Sequence, residues 1–201
     1  MNQFRTSGAS VSMALSIVGT SIVGTSIIGM GVVGVGVVAE GVQLADGKVY
    51  FERPPSLVNA TATVHRLGAT NARYYFDLNV PVDAGEPLQR VTIAQEGGNS
   101  FVRQVEFDDD EAQAFLGSRR RRGEEVAIAS SVWNEDTQTV TIEFATPIAP
   151  GTDVTIRLEP ERNPELTGIY LFGVTAFPAG DNSQGQFLGY GRFGFSSNQS
   201  I

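Results

Sequence analysis

An acidic run, Asp108, Asp109, Asp110 and Glu111, and an arginine run, Arg119, Arg120, Arg121 and Arg122, hold the densest chemistry in this 201-residue chain. Clustered carboxylate oxygens suit a hard cation such as calcium, which makes Asp108, Asp110 and Glu111 the metal-ligand candidates. Their spacing departs from the helix–loop–helix calcium pattern. Counted from Asp108, Gln113 falls where that pattern needs glycine, and Arg119 falls where it needs a bidentate glutamate. The same acidic residues also suit the first turn of a short helix over 109–116, with Asp108 as its cap and the positive end of the helix dipole favouring the carboxylates. Arg119, Arg120, Arg121 and Arg122 are the partner-binding candidates, because planar guanidinium forks grip phosphate, sulfated sugar or acidic side chains. Their plainer reading is a solvated loop balanced by nearby carboxylates, open to a trypsin-like protease.

Hydrolysis of a glycoside needs two carboxyl groups about 5–10 Å apart across a cleft. Glu106, Asp108, Asp110, Glu124 and Glu125 are the residues from which such a pair is drawn. His65 is the only histidine. Neither a GxSxG elbow nor an HExxH helix accompanies it, so it reads as a boundary residue at a strand end and no catalytic residue is assigned. The glycines Gly185, Gly189, Gly191 and Gly194 interleave with Phe187, Tyr190, Phe193 and Phe195. That pattern reads either as an aromatic surface for stacking sugars or, more simply, as bent strands whose rings fill a core. The phrase GQFLGYG lacks the strand-then-helix setting of a nucleotide-binding loop, and no cofactor is expected.

Composition narrows the classes further. The chain has no cysteine, which excludes disulfides, zinc–thiolate sites and cysteine nucleophiles. All 22 acidic residues and every basic residue except Arg5 follow Ala39, so the body is one unit more negative than the whole chain's −8. Nucleic acid is therefore not the expected partner, and neither is an anionic bilayer surface. An envelope protein or a polysaccharide is, and a homo-oligomer is compatible with the same residues.

Strands must position these groups. Val140, Ile142 and Phe144 alternate with Thr139, Thr141 and Glu143; Val154, Ile156 and Leu158 alternate with Thr155, Arg157 and Glu159. Tyr74, Phe76, Leu78 and Val80 oppose Tyr75, Asp77 and Asn79. Alternation of period two marks a half-buried antiparallel sheet. Further strands are expected at 48–51, 57–64, 88–95, 101–107, 124–131, 169–176 and 187–195. Turn signals separate them at Asp83-Ala84-Gly85, Gly97-Gly98-Asn99, Asn134-Glu135-Asp136 and Pro150-Gly151. The fold class is all-β: an antiparallel two-sheet β-sandwich with one short helix.

Ahead of that body a five-residue phrase repeats: SIVGT from Ser16, SIVGT from Ser21, SIIGM from Ser26, GVVGV from Gly31 and GVVAE from Gly36. No charge stands between Arg5 and Glu40. On a helix each copy turns by about 140°, which leaves no polar face, so the segment reads as a membrane-directed signal or anchor. Small residues offer cleavage after Ala39 or Ala45. The apolar run exceeds the roughly 7–15 residues of a signal core and is long enough to span a bilayer of about 30 Å. An extended segment pairing between subunits is the third possibility, since Val, Ile, Thr and Gly are poor helix formers. The expected organisation is a signal or anchor over 1–39, a linker over 40–47, a sandwich over 48–195 and a flexible tail over 196–201.

The phrases LADGKVYFERPPSLV, YYFDLNVP, AGEPLQRVTI, EAQAFLG, PIAPGTDVTIRLEPERNP, GIYLFGVTAFPAG and GQFLGYGRFGF follow in order from Leu44 to Phe195. Together they resemble a cyanobacterial family of exported proteins catalogued only as a domain of unknown function. The resemblance implies a cyanobacterial source, export across the inner membrane and a β-rich domain; it brings no activity and no catalytic residues. The expected function is that of an exported cell-envelope or extracellular protein with a binding or scaffolding role. Its rivals are a carboxylate-dependent carbohydrate-active or hydrolytic enzyme and an assembly subunit whose N-terminal segment completes a neighbour's sheet.

Overall fold

The computed structural model describes residues 42–43, 47–96, 105–108 and 111–197. The expectations for the N-terminal segment, for Asp109 and Asp110, and for the last residues of the tail fall outside them. A ribbon of β1 (Val42–Gln43) and β2 (Val49–Tyr50) leads into two five-stranded sheets. The first sheet has the order β3-β4-β10-β6-β7: β3 (Ser56–Ala62), β4 (Tyr74–Val80), β10 (Thr152–Leu158), β6 (Gln113–Ser118) and β7 (Arg121–Val126). The second has the order β12-β11-β5-β9-β8: β12 (Gln186–Phe195), β11 (Gly168–Pro178), β5 (Leu88–Glu96), β9 (Thr139–Ile148) and β8 (Ile128–Asn134). Every pairing within both sheets is antiparallel, giving a β-sandwich.

Period-two alternation decides which face is buried. On β4, Tyr74, Phe76, Leu78 and Val80 are buried while Tyr75, Asp77 and Asn79 are half-buried on the outer face. The register sets Phe76 opposite Ile156 and Ile156 opposite Ala114, so the first sheet presents a continuous apolar inner face. The second sheet answers with Val91, Ile93, Val140, Ile142, Phe172, Val174 and Phe193. Rings meet at its centre: Phe172 lies 5.2 Å from Phe193, 5.8 Å from Tyr74 and 5.9 Å from Phe107, edge to face in each case.

The strands expected from alternation are present, with three differences. The short helix expected over 109–116 is not formed where the chain is described, because Gln113–Ser118 is strand β6, hydrogen-bonded between β10 and β7. Both faces of β6 are covered, Ala114 by the core and Phe115 on the outer side, so its sequence shows an apolar cluster instead of alternation. The single strand expected over 124–131 is two strands in different sheets, with the chain crossing at Ala127 between β7 and β8. In the stretch expected as a strand over 101–107, residues 101–104 lie outside the described residues, and Phe107 makes one isolated antiparallel bridge to Pro160.

Pairing reaches past both ends of the large strands. β1 lies in the stretch expected as a linker and pairs with β2. Ser196, expected in the tail, donates its backbone N–H to the His65 carbonyl, and Arg66 bridges to Ser196. Among the described residues, no helix is long and apolar enough to cross a membrane.

Tyr74 gives the core a titratable phenol. Burial pushes its pKa far above the ordinary tyrosine range, and the neighbouring Tyr170 phenol adds to the shift. Below about pH 10 both folded and unfolded chains keep the proton, so stability is unaffected. Above it the unfolded chain ionises and the folded one does not, so the unfolded state binds fewer protons and stability falls with pH. The expected slope from this group is about 1.4 kcal/mol per pH unit. Urea midpoints from about pH 9 to about pH 11.5 check this: Tyr74→Phe should fall less steeply than the wild type, and parallel slopes would contradict the assignment.

Candidate functional site

The outer face of the first sheet carries the polar members of the alternating strands, and register brings them into rows. Asn59 on β3, Asp77 on β4, Thr155 on β10 and Phe115 on β6 form one such row. A β-bulge between Leu57 and Asn59 lies beside it. Bulges of this kind re-aim side chains at the edge of a sheet, and here the bulge leaves Val58 65 % exposed while Asn59 reaches inward over the face.

Asp77 anchors the row. Its Oδ2 accepts from Asn59 Nδ2 at 3.2 Å, and its Oδ1 lies 2.6 Å from the Thr155 hydroxyl. That hydroxyl has one proton and two acceptors, since the Gly117 carbonyl is 2.8 Å away. Thr155 is fully buried although it sits on the outer face, because the end of the β6–β7 hairpin folds over it.

The hairpin owes that shape to Gly117 and a two-residue arginine turn. Gly117 has a φ of +85° in a bulge that pairs it with Arg122, and a Cβ there would lie only 2.3 Å from the Arg121 carbonyl oxygen. Ser118 pairs with Arg121, leaving Arg119 and Arg120 at the turn. Arg119 reaches across to β4, where its guanidinium sits 5.0 Å from the Tyr75 ring centroid. Arg122 turns the other way and covers Phe115, 4.8 Å from that ring. Cation–π contacts of this sort contribute about 0.5–1 kcal/mol each at exposed sites, enough to bias where the two side chains lie.

The result is a groove of about 420 Å³ lined by Asn59, Thr61, Asp77, Ser118, Arg119 and Arg120. Small-ligand sites fall at roughly 300–1,000 Å³, so the groove is sized for a small molecule or one unit of a longer one. It holds two cations, one carboxylate already engaged by its neighbours, and amide and hydroxyl groups that donate and accept. Beyond it on the same face, Glu159 Oε1 is shared by Arg157 at 2.7 Å and Arg73 at 3.0 Å.

Gly117→Ala is expected to lose about 1–3 kcal/mol, the cost of a strained positive-φ residue, and to displace the arginine turn. Thermal unfolding reads the first effect. Faster trypsin cleavage at Arg119–Arg122 reads the second, and an unchanged cleavage rate would contradict the hairpin's dependence on this glycine.

Of the sequence-derived candidates, Arg119 and Arg120 line the groove, while Arg121 and Arg122 lie on the exposed edge strand β7. Asp108 donates its backbone N–H to the Glu159 carbonyl, Glu111 is exposed, and Asp110 is outside the described residues. Among the described residues no group of three or more His, Cys, Asp or Glu side chains is placed to hold a metal. Glu106, Glu124 and Glu125 are exposed, and Glu124 and Glu125, adjacent on one strand, point to opposite faces. None of Glu106, Asp108, Glu124 and Glu125 lines the groove. His65 lies in the exposed segment after β3, its Nδ1–H donating to the Gly194 carbonyl at 2.9 Å.

The glycine–aromatic run is divided by the pleat. Phe193 and Phe195 are core, whereas Phe187 and Tyr190 stand on the outer face of the second sheet, 54 % and 48 % exposed and 5.0 Å apart. They lean over Gly173, where a Cβ would approach Phe187 to 3.2 Å. Sequence reasoning missed Asn59, Thr61, Asp77 and Ser118. The outward alternation of YYFDLNV contained the signal for Asp77 alone.

No curated protein matches the chain. Solved structures with related architecture are distant. The collagen-binding domain of a Staphylococcus aureus adhesin is 9 % identical with a TM-score of 0.36, covering 70 % of this chain and 98 % of its own. The collagen-binding subdomain ACE19 of the Enterococcus faecalis surface protein ACE is 8 % identical with a TM-score of 0.40, covering 66 % and 94 %. A DUF4466 family protein from Parabacteroides merdae is 13 % identical with a TM-score of 0.43; it covers 72 % of this chain, which spans only 46 % of its length. Likenesses this distant carry no argument about ligand or role. The family profile of the protein of unknown function DUF2808 matches residues 48–195, and the chain belongs to that family.

Proposed function

We propose that this is an exported protein of the cell envelope or exterior, cyanobacterial in origin, that works by binding or scaffolding. The observation that carries the binding role is the groove: two arginines of a hairpin turn line a polar sheet face whose carboxylate is already engaged by Asn59 and Thr155. Such a site grips a partner. General acid–base chemistry of the glycosidase type uses a second carboxyl group across the cleft, and the groove lining contains one. Its position on hydrogen-bonded strands suits binding, because a preformed surface loses little conformational entropy when the partner arrives.

Export is supported by the charge layout, with Arg5 ahead of an uncharged apolar run and every acidic residue behind it. Cell fractionation with mass spectrometry of the mature amino terminus tests this part. The expected result is a chain in the envelope or medium that begins after Ala39 or Ala45, or an intact chain in the inner membrane. Intact protein in the cytosol would contradict it.

Sedimentation with purified envelope tests the binding part. Wild-type protein is expected to co-sediment, and the double variant Arg119→Gln, Arg120→Gln to remain in the supernatant. Equal sedimentation of both, or robust turnover in activity assays that is lost with the same variant, would overturn the reading.

A further inference from the structure

The charges around the groove define what it takes. Resting on the reading of this groove as a binding surface, we infer that its ligand is a glycan bearing isolated carboxylate groups, a uronic-acid unit within an otherwise neutral chain. Three observations lead there.

The lining is positive inside a negative protein. Arg119 and Arg120 outnumber Asp77, whose oxygens already accept from Asn59 and Thr155, while the whole chain carries −8. At physiological salt, charges more than about 8 Å away are largely screened, so a single anionic group within the groove feels mainly the two arginines set against Asp77, a balance of one positive charge. A dense polyanion extends beyond that range along β7, where the exposed Arg121 and Arg122 are matched one for one by the exposed Glu124 and Glu125. The site therefore favours one anion at a time.

The second observation is the fork. The contact with the Tyr75 ring, 5.0 Å from its centroid, limits where the Arg119 guanidinium lies, and a guanidinium fork suits the two oxygens of a planar carboxylate. A lysine in its place would keep the charge and lose the fork.

The third is what surrounds the arginines. Thr61, Ser118 and Asn59 provide hydroxyl and amide groups along the same 420 Å³, which match the hydroxyls of a sugar ring and have no counterpart on a bare anion. A free carboxylate or phosphate ion would leave most of that lining unused.

Calorimetric titration of the full chain with four probes tests this: a galactose trimer in which one unit is galacturonic acid, the neutral galactose trimer, inorganic phosphate and dextran sulfate. The uronate trimer is expected to bind at least tenfold more tightly than the neutral trimer or phosphate, and no more weakly than dextran sulfate per binding site. Arg119→Gln with Arg120→Gln should reduce uronate binding to the level of the neutral trimer, Arg119→Lys should weaken it severalfold, and Arg192→Gln on the other sheet should leave it unchanged. Equal affinity for phosphate would reduce the groove to a free-anion site, and tighter binding of dextran sulfate would make it a polyanion site; either overturns the inference. Groove-dependent binding of the neutral trimer with equal affinity also overturns it, yet leaves the binding reading intact. Loss of envelope co-sedimentation in the double variant, without any uronate binding, separates the two in the same way.

Discussion

Phe172→Ala is expected to cost about 3–5 kcal/mol, the upper range for truncating a buried side chain. The ring is fully buried on β11 and meets Tyr74, Phe76, Phe107 and Phe193, so it contacts both sheets and the segment that carries Phe107. Removing it takes away apolar burial and leaves a cavity that cross-linked strands close only in part. Two contributions therefore add. The urea midpoint should fall with little change in the dependence on denaturant, because the surface exposed on unfolding is nearly the same. Phe187→Ala is the matched control. That ring belongs to the same sheet but stands on its outer face, half exposed, and its removal should cost well under half as much. Equal losses at the two positions would mean that the aromatic cluster is not where the sandwich is held together.

Asn163→Leu is expected to cost about 2–4 kcal/mol, through polar groups left without partners. Asn163 is almost fully buried and is satisfied on every side. Its Oδ1 accepts from the Tyr74 hydroxyl at 2.9 Å, its Nδ2 donates to the Val64 and Arg66 carbonyls at 2.9 and 3.0 Å, and its backbone N–H donates to Ala69. The residue thus ties the segment after β3 to the end of the core. Leucine has a similar volume, so packing changes little and the loss measures the hydrogen bonds. The Val64 and Arg66 carbonyls lie near the surface, where water replaces part of what is lost; the buried Tyr74 hydroxyl has no such recourse. The double variant Tyr74→Phe with Asn163→Leu should therefore cost less than the sum of the two single changes. Additive losses would contradict a direct bond between them.

Much of the fold was legible because burial on one face forces alternation. On β4, on Thr139 to Phe144 of β9 and on β10, core-facing apolar residues alternate with outward-facing ones, so the sequence itself records the sheet. Where that rule does not operate, the sequence misled. β6 is covered on both faces, and the acidic run before it mimics the start of a helix; Gln113–Ser118 is nevertheless strand, held by ladder bonds to distant segments. β7 lies at the edge of its sheet and is apolar only at Val126, so no apolar period marked its separation from β8.

The candidate site was legible only in part. Density of charge singled out Arg119 and Arg120, and both line the groove. Nothing local identified Asn59 or Thr61 on β3, and alternation marked Asp77 only as one of three outward-facing residues of β4. Their convergence with the arginines depends on strand order, on register and on a hairpin that curls over β10 at Gly117. These are long-range properties that a reading of neighbouring residues does not reach.

Amide hydrogen exchange of the full chain, with and without a soluble glycan fraction of the envelope, tests most directly the claim that this protein acts by binding through the outer face of its first sheet. Added protection is expected at Asn59 to Thr61, at Tyr75 to Asp77 and across the turn from Ser118 to Arg120, and it should disappear in the double arginine variant. Protection confined to the second sheet, or none at any position, would contradict it.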